Sequence, residues 1–160
     1  MRLRRFDATQ VVPVPLDQAW SFFSDASNLP RITPPWLDFR LESELPERAH
    51  AGMIAVYRVR VAPGVRVRWV TEITHLEAER FFVDEQRFGP YRFWHHQHHF
   101  RAVDSGTEIR DIVHYAVPLG PLGRVVDRVR IAAQVEEIFA FRRQVLIRIL
   151  GEESATASGR

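Results

Sequence analysis

Hydrophobic and polar residues alternate with a period of two along most of the chain, and helical spacing shows near the start and over the last third. Residues 4–13 read as a first strand. Pro15 then sits where the first turn of a helix tolerates proline, ahead of Asp17, Ala19, Trp20, Phe22 and Phe23. Three prolines between Asn28 and Pro35 allow only a short second helix before the chain turns away. The segments 36–44, 53–62, 65–76, 80–88, 91–103 and 107–117 each suit a strand, with Pro-Gly, Glu-Ala, Gly-Pro and Ser-Gly signals between them. Strands joined this closely make an antiparallel meander. The run PLGPLG at 118–123 breaks the sheet, and residues 124–150 carry Val129, Ala132, Val135, Ile138, Phe139, Val145, Leu146 and Ile149 at roughly helical spacing. The pattern predicts an α+β domain over residues 1–150. It comprises a curved seven-stranded antiparallel sheet wrapped around a long C-terminal helix, with two short helices after strand 1. Residues 151–160, GEESATASGR, have no periodicity and read as a disordered tail.

Composition narrows the picture. The 160 residues are 46% hydrophobic and 26% charged, which suits one globular core. Cysteine is absent, so disulfides, thiolate metal sites and cysteine nucleophiles are excluded, and a reducing cytoplasm is expected. No run of about 18 apolar residues is present, so no stable membrane insertion is expected. All 22 basic residues are arginine, yet the net charge is only +2. Pairs such as Arg58 with Arg60 and Arg66 with Arg68 mark the solvated face of strands rather than a nucleic-acid surface. No phosphate loop, dinucleotide fingerprint or nucleophile elbow occurs, which leaves phosphoryl transfer, hydride transfer and acyl-enzyme chemistry without support.

A series of residues between positions 4 and 150 carries a resemblance. It runs through Ala19-Trp20, Phe22-Phe23, Asn28-Leu29, Thr33-Pro34-Pro35, Gly52, Tyr57, Trp69, Phe82-x-Asp84-x-Gln86 and Gly89-Pro90-Tyr91. It continues through Trp94-x-His96-x-His98-x-Phe100, Thr107, Asp111-x-x-x-Tyr115, Pro118-x-Gly120 and Phe141-Arg142. In these the chain resembles the SRPBCC or START-like superfamily, which includes the birch pollen allergen, lipid-transfer domains and polyketide aromatase/cyclases, and within it an uncharacterised ligand-binding subfamily. The resemblance implies a helix-grip fold with an internal cavity. It does not imply one reaction, since members carry lipids, bind hormones or catalyse cyclisation.

Register arguments say what faces that cavity. A tight turn at Ser105-Gly106 sets Phe100 opposite Asp111, His98 opposite Val113 and His96 opposite Tyr115. Ile109, Val113 and Val117 share that face, while Glu108, Arg110 and His114 lie on the other, so the first set points inward. A turn at Glu77-Ala78 sets Trp69 against Gln86 and Thr71 against Asp84. An odd-length loop around Gly89-Pro90 then brings Asp84 beside His96 and Gln86 beside Trp94. The expected inner face holds Tyr57, Trp69, Asp84, Gln86, Trp94, His96, His98, Asp111 and Tyr115, and Arg142 joins them from the final helix.

Buried carboxylates and imidazoles need partners, which Asp84 with His96 and Asp111 diagonally with His98 supply. Such a network either fixes register and cavity shape or orients the polar end of a small hydrophobic or amphipathic ligand. The same residues offer an enzyme reading, a polyketide cyclase/aromatase or dehydratase. There His96, His98 and Asp111 act as general acid and base, and Tyr115 or Arg142 polarises a carbonyl. His96, His98 and Asp111 also form a two-histidine, one-carboxylate set, but the resemblance gives these positions no metal role, and no metal or cofactor is expected. Arg142 requires an anion, either a sheet carboxylate such as Asp84 or Asp111 or a ligand carboxylate. Trp20, Phe22 and Phe23 read as core. The partner expected is a small molecule, with no nucleic acid, and the protein is a monomer or homodimer.

Overall fold

The structure is a computed structural model that describes residues 3–118 and 130–158. Seven antiparallel strands form one sheet: β1 (Arg4–Val12), β2 (Arg40–Leu41), β3 (Ile54–Ala62), β4 (Val65–Glu77), β5 (Phe81–Phe88), β6 (Phe93–Val103) and β7 (Gly106–Ala116). Their order across the sheet is β1-β7-β6-β5-β4-β3-β2, so β2 to β7 run as a meander and β1 closes on its last strand. Helix α1 (Leu16–Ser24) and a 3-10 helix (Ala26–Ile32) follow β1, and the long helix α2 (Ala132–Ser158) ends the chain. The helix-grip fold is therefore present.

Local chemistry explains the connections. Helix α1 starts after extended Pro15, places Asp17 in its first turn where the helix dipole favours an anion, and buries Ala19 and Phe22 three residues apart. Asp25 caps the 3-10 helix by accepting the Ser27 N–H at 2.9 Å. Asn28 Nδ2 donates to the Phe22 carbonyl at 3.0 Å, and Thr33 Oγ1 donates to that of Leu29 at 2.6 Å, which locks the proline-rich segment in shape. Gly106, at φ 132°, meets the end of β1 so closely that a Cβ would stand 2.1 Å from the Val12 carbonyl oxygen.

Three expectations are corrected. The strand expected over 36–44 shrinks to β2, because Pro35–Leu37 winds into a 3-10 turn that ends on Asp38 in a left-handed conformation (φ 44°). The Asp38 carboxylate then gathers Arg40, Arg60 and Arg66, and hydrogen bonds from Arg66 and Arg40 hold its pKa down to about 2. The loose tail expected over 151–160 is helical as far as Ser158, since Glu152, Glu153, Ala155 and Ala157 favour helix and a lone glycine at 151 does not stop it. The pairing registers expected for β6–β7 and β4–β5 are each displaced by two residues. In the first pair the turn is Asp104-Ser105, with Val103 opposite Gly106, so His98 faces Asp111 and His96 faces Val113. In the second, a three-residue loop with Glu79 at φ 60° and a bulge between Ile73 and His75 set Thr71 opposite Gln86 and Ile73 opposite Asp84. The break expected at 118–123 and the helix onset at 124 fall largely on 119–129, outside the described residues.

Helix α2 buries Val135, Phe139, Arg142, Leu146 and Leu150, a stripe at spacings of three and four. Val145, Leu146 and Leu150 join Val12, Phe22, Ile73, Phe82, Phe100 and Ile109 in the main core. Val135 and Phe139 pack in a second cluster with Trp94, Val113 and Tyr115. Each such burial contributes about 1.5–3 kcal/mol. A cavity remains between the two clusters.

Candidate functional site

Strand β6 alternates Trp94, His96, His98 and Phe100 inward, and β7 does the same with Ile109, Asp111, Val113 and Tyr115. Because the register sets His98 directly opposite Asp111 and Asp84 opposite His96, four ionisable groups meet on neighbouring strands. They close into a ring. His96 Nε2 lies 2.8 Å from Asp111 Oδ1, and His98 Nε2 lies 2.8 Å from Asp84 Oδ2. His98 Nδ1 is 3.0 Å from Asp111 Oδ1, outside hydrogen-bonding angle, and His96 Nδ1 is 3.5 Å from Asp84 Oδ2. The two imidazoles overlap with centroids 3.7 Å apart. The expected partnership of Asp84 with His96 is thus the longest of the four contacts, and each histidine lies between both carboxylates.

Burial and charge push these groups in different directions. Burial, helped by repulsion from His98, lowers the His96 pKa to about 4. For His98 burial also pulls downward, but hydrogen bonding and charge from Asp111 and Asp84 outweigh it and raise the pKa. Burial would raise both carboxylates, yet the histidines overcome it, so Asp84 and Asp111 stay below the usual range. His96 is pushed toward its neutral form and His98 toward its charged form.

Arg142 supplies the remaining cation. Its guanidinium lies 4.9 Å from the centre of the Phe139 ring, and its Nε is buried without a hydrogen-bond acceptor. Among the described residues it makes no direct ion pair, so the salt bridge expected with Asp84 or Asp111 is not formed. Burial lowers its pKa, and Asp111 and Asp84 oppose that from a distance. Two carboxylates, two imidazoles and Arg142 thus share one buried cluster.

The polar cluster closes one end of a cavity of about 130 Å³. Tyr57, Trp69, Asp84, Trp94, His96, His98 and Arg142 line it, as expected from the sequence. Gln86, Asp111 and Tyr115 do not. Gln86 instead clips the next loop, donating to the Tyr91 carbonyl at 2.7 Å and accepting its N–H at 3.2 Å. Asp111 stands behind the two histidines, and Tyr115 packs against Trp94 and Tyr91. The Tyr57 hydroxyl donates to the Ala26 carbonyl at 3.0 Å and ties the 3-10 helix to the sheet; burial keeps its pKa above that of a free tyrosine.

The apolar wall was largely unanticipated. Leu29, Ile32, Leu37, Phe39, Met53 and Phe139 contribute to it, as do Phe22 and Phe23, which had read as core alone. Trp20 remains core, edge-on to Phe82 and Phe100. Phe139 had a legible signal, because it sits three residues before Arg142 on the same helical face. On the far side of Asp111, a second hollow of about 330 Å³ lies between β1 and α2, bordered by Phe6, Thr9, Gln10, Asp111, Arg142 and Arg143. No helix among the described residues is long and apolar enough to cross a membrane.

The family model described as polyketide cyclase / dehydrase and lipid transport matches residues 12–139. No curated protein sequence matches the chain. Among solved structures, the Zhui aromatase/cyclase from a Streptomyces species superposes with a TM-score of 0.73 at 17% identity, covering 96% of each chain. TTHA0849 from Thermus thermophilus superposes with a TM-score of 0.65 at 20% identity, covering 97% of this chain and 99% of that one. Ara h 8.0201 gives 0.59 at 15% identity, over 92% and 99%. At these identities the likeness is one of fold.

Proposed function

The chain belongs to the polyketide cyclase / dehydrase and lipid transport family, and from that premise we propose that it binds a small hydrophobic or amphipathic molecule in the cavity beneath α2. One observation carries the reading: the cavity is lined mainly by apolar and aromatic side chains, and the ionisable groups of Asp84, His96, His98 and Arg142 also line it. Its volume of about 130 Å³ suits a ligand segment no larger than one aromatic ring or a short acyl chain, since a cavity of about 150 Å³ takes benzene. The unpartnered Arg142 Nε–H favours an acceptor such as a carbonyl or carboxylate oxygen at the polar end.

Native mass spectrometry of freshly purified protein, repeated after organic denaturation, tests the reading. A non-covalent adduct that is released on denaturation supports it and gives the ligand's mass. Trp69 and Trp94 line the cavity, so their fluorescence reports binding of aromatic and acyl compounds to the free protein. A clean mass together with no fluorescence response across such a panel would count against the reading.

A second reading, cyclase- or dehydratase-type acid–base chemistry, is favoured by the protonation of His96. Its Nε2 proton is directed at Asp111, which leaves the Nδ1 lone pair as a base on the cavity side. Under this reading His96→Gln abolishes turnover of a bound substrate while leaving its affinity within a few-fold. Loss of affinity in parallel with turnover argues for binding alone.

A further inference from the structure

His96 Nε2 lies 2.8 Å from Asp111 Oδ1, and the other ring nitrogen, Nδ1, stands 3.5 Å from Asp84 Oδ2. Asp84 Oδ2 also lies 2.8 Å from His98 Nε2, so three donor atoms of the kind that ligate metals converge at the cavity's polar end. We propose that Asp84 Oδ2, His96 Nδ1 and His98 Nε2 form a binding site for a divalent transition ion of the zinc class, with Asp111 as the positioning residue behind both imidazoles.

The geometry suits such an ion. Ligand atoms about 2.0–2.1 Å from a tetrahedral centre stand about 3.3 Å apart; two of the three separations, 2.8 and 3.5 Å, bracket that value, and all three lie within 4.8 Å. Ligating histidines typically turn the other ring nitrogen to a carboxylate, which fixes the tautomer. Asp111 Oδ1 occupies that position for His96, 2.8 Å from its Nε2, and lies 3.0 Å from His98 Nδ1 outside hydrogen-bonding angle. The register carries the assignment. It places Asp111 on the side of the rings away from the cavity and Asp84 on the cavity side, so Asp84 completes the ligand set and a fourth position opens to the cavity. The inference rests on side-chain geometry and does not depend on whether an organic ligand is carried. It competes with His96 as a base, because a bound ion takes the lone pair that the base would use. Arg142 opposes the ion, being a cation close enough to feel both carboxylates.

The test is titration of the full-length protein with Co(II) chloride, followed by visible absorption and calorimetry, with Zn(II) as competitor. One saturable equivalent with a four- or five-coordinate Co(II) spectrum is expected, displaced by Zn(II) and lost in His98→Ala. Asp111→Asn should weaken it about 10–100-fold and alter the spectrum, the range found for groups behind metal ligands. Arg142→Met should tighten it. The double variant His95→Gln/His99→Gln, on the outer face of β6, should bind as the wild type does. X-ray absorption of the wild-type cobalt form, which needs no variant, should find two imidazoles in the first shell. The proposal is overturned if the wild type takes up no Co(II) saturably, if its first shell lacks two imidazoles, or if uptake survives His98→Ala and disappears in the outer-face variant.

Discussion

The two faces of the sheet carry the same kinds of group under opposite conditions. On the outer face, arginines and carboxylates pair across strands in water: Arg110 with Asp7 at 2.7 Å, Arg101 with Glu108 at 2.9 Å, and Arg87 with Glu72 and Glu85. On the inner face, Asp84 and Asp111 meet two imidazoles and one arginine beneath α2. The outer pairs have water as an alternative partner, so each contributes little. The inner groups have chiefly one another, with the Thr71 hydroxyl donating to Asp84 at 3.3 Å, so breaking a single link strands a charge in a poor solvent. Contact distances are nearly equal on the two faces. Surroundings, rather than distance, decide what a contact is worth.

The largest expected effect breaks the inner set. Asp111→Ala removes one of the two carboxylates that the imidazoles and Arg142 depend on and should cost about 3–5 kcal/mol in urea denaturation. Asp111→Asn, which keeps the shape and one acceptor, should cost less, and equal losses would mean that shape rather than charge holds the ring. Next in size is pH. His96 is depressed to about 4, so the unfolded chain binds a proton that the native state refuses, and stability should fall by a few kcal/mol as pH drops from 6.5 to 4. Below pH 4 the lowered carboxylates Asp84 and Asp111 lose their contribution as well. His98 is raised, so its contribution is complete below pH 6.5 and is lost as pH rises through its native pKa. Denaturation midpoints across pH should therefore peak near 6.5, and His98→Gln should flatten the alkaline side. The smallest effect belongs outside. Arg87→Ala should shift the urea midpoint by no more than replicate scatter, and 1 M salt should erase even that.

Which face a strand residue takes was legible in the sequence, and which neighbour it meets was not. Side chains alternate with a period of two, so the two-residue displacement of β6 on β7 returned every inward residue to the inner face. His96, His98 and Asp111 therefore lie inside as read, although each faces a different partner. Partner identity depends on turn length and bulges, and the Glu79 turn and the bulge at residue 74 leave no strong mark in the pattern. Gln86 was assigned to the cavity by parity, which cannot register that the following loop bends back to claim its amide. Arg142 was legible as inward from the stripe on α2. Its lack of a direct carboxylate was not, because the distance between helix and sheet is set by packing that no periodicity encodes.

The hollow between β1 and α2 gives the ring a second side. Asp111 and Arg142 border it, while the histidines and Asp84 face the cavity, so the cluster is a partition with a compartment on either side. An occupant that sealed the cavity would leave Asp111 and Arg142 facing the other compartment. If a ligand is held as proposed, this hollow borders the cluster from a side that the ligand does not occupy.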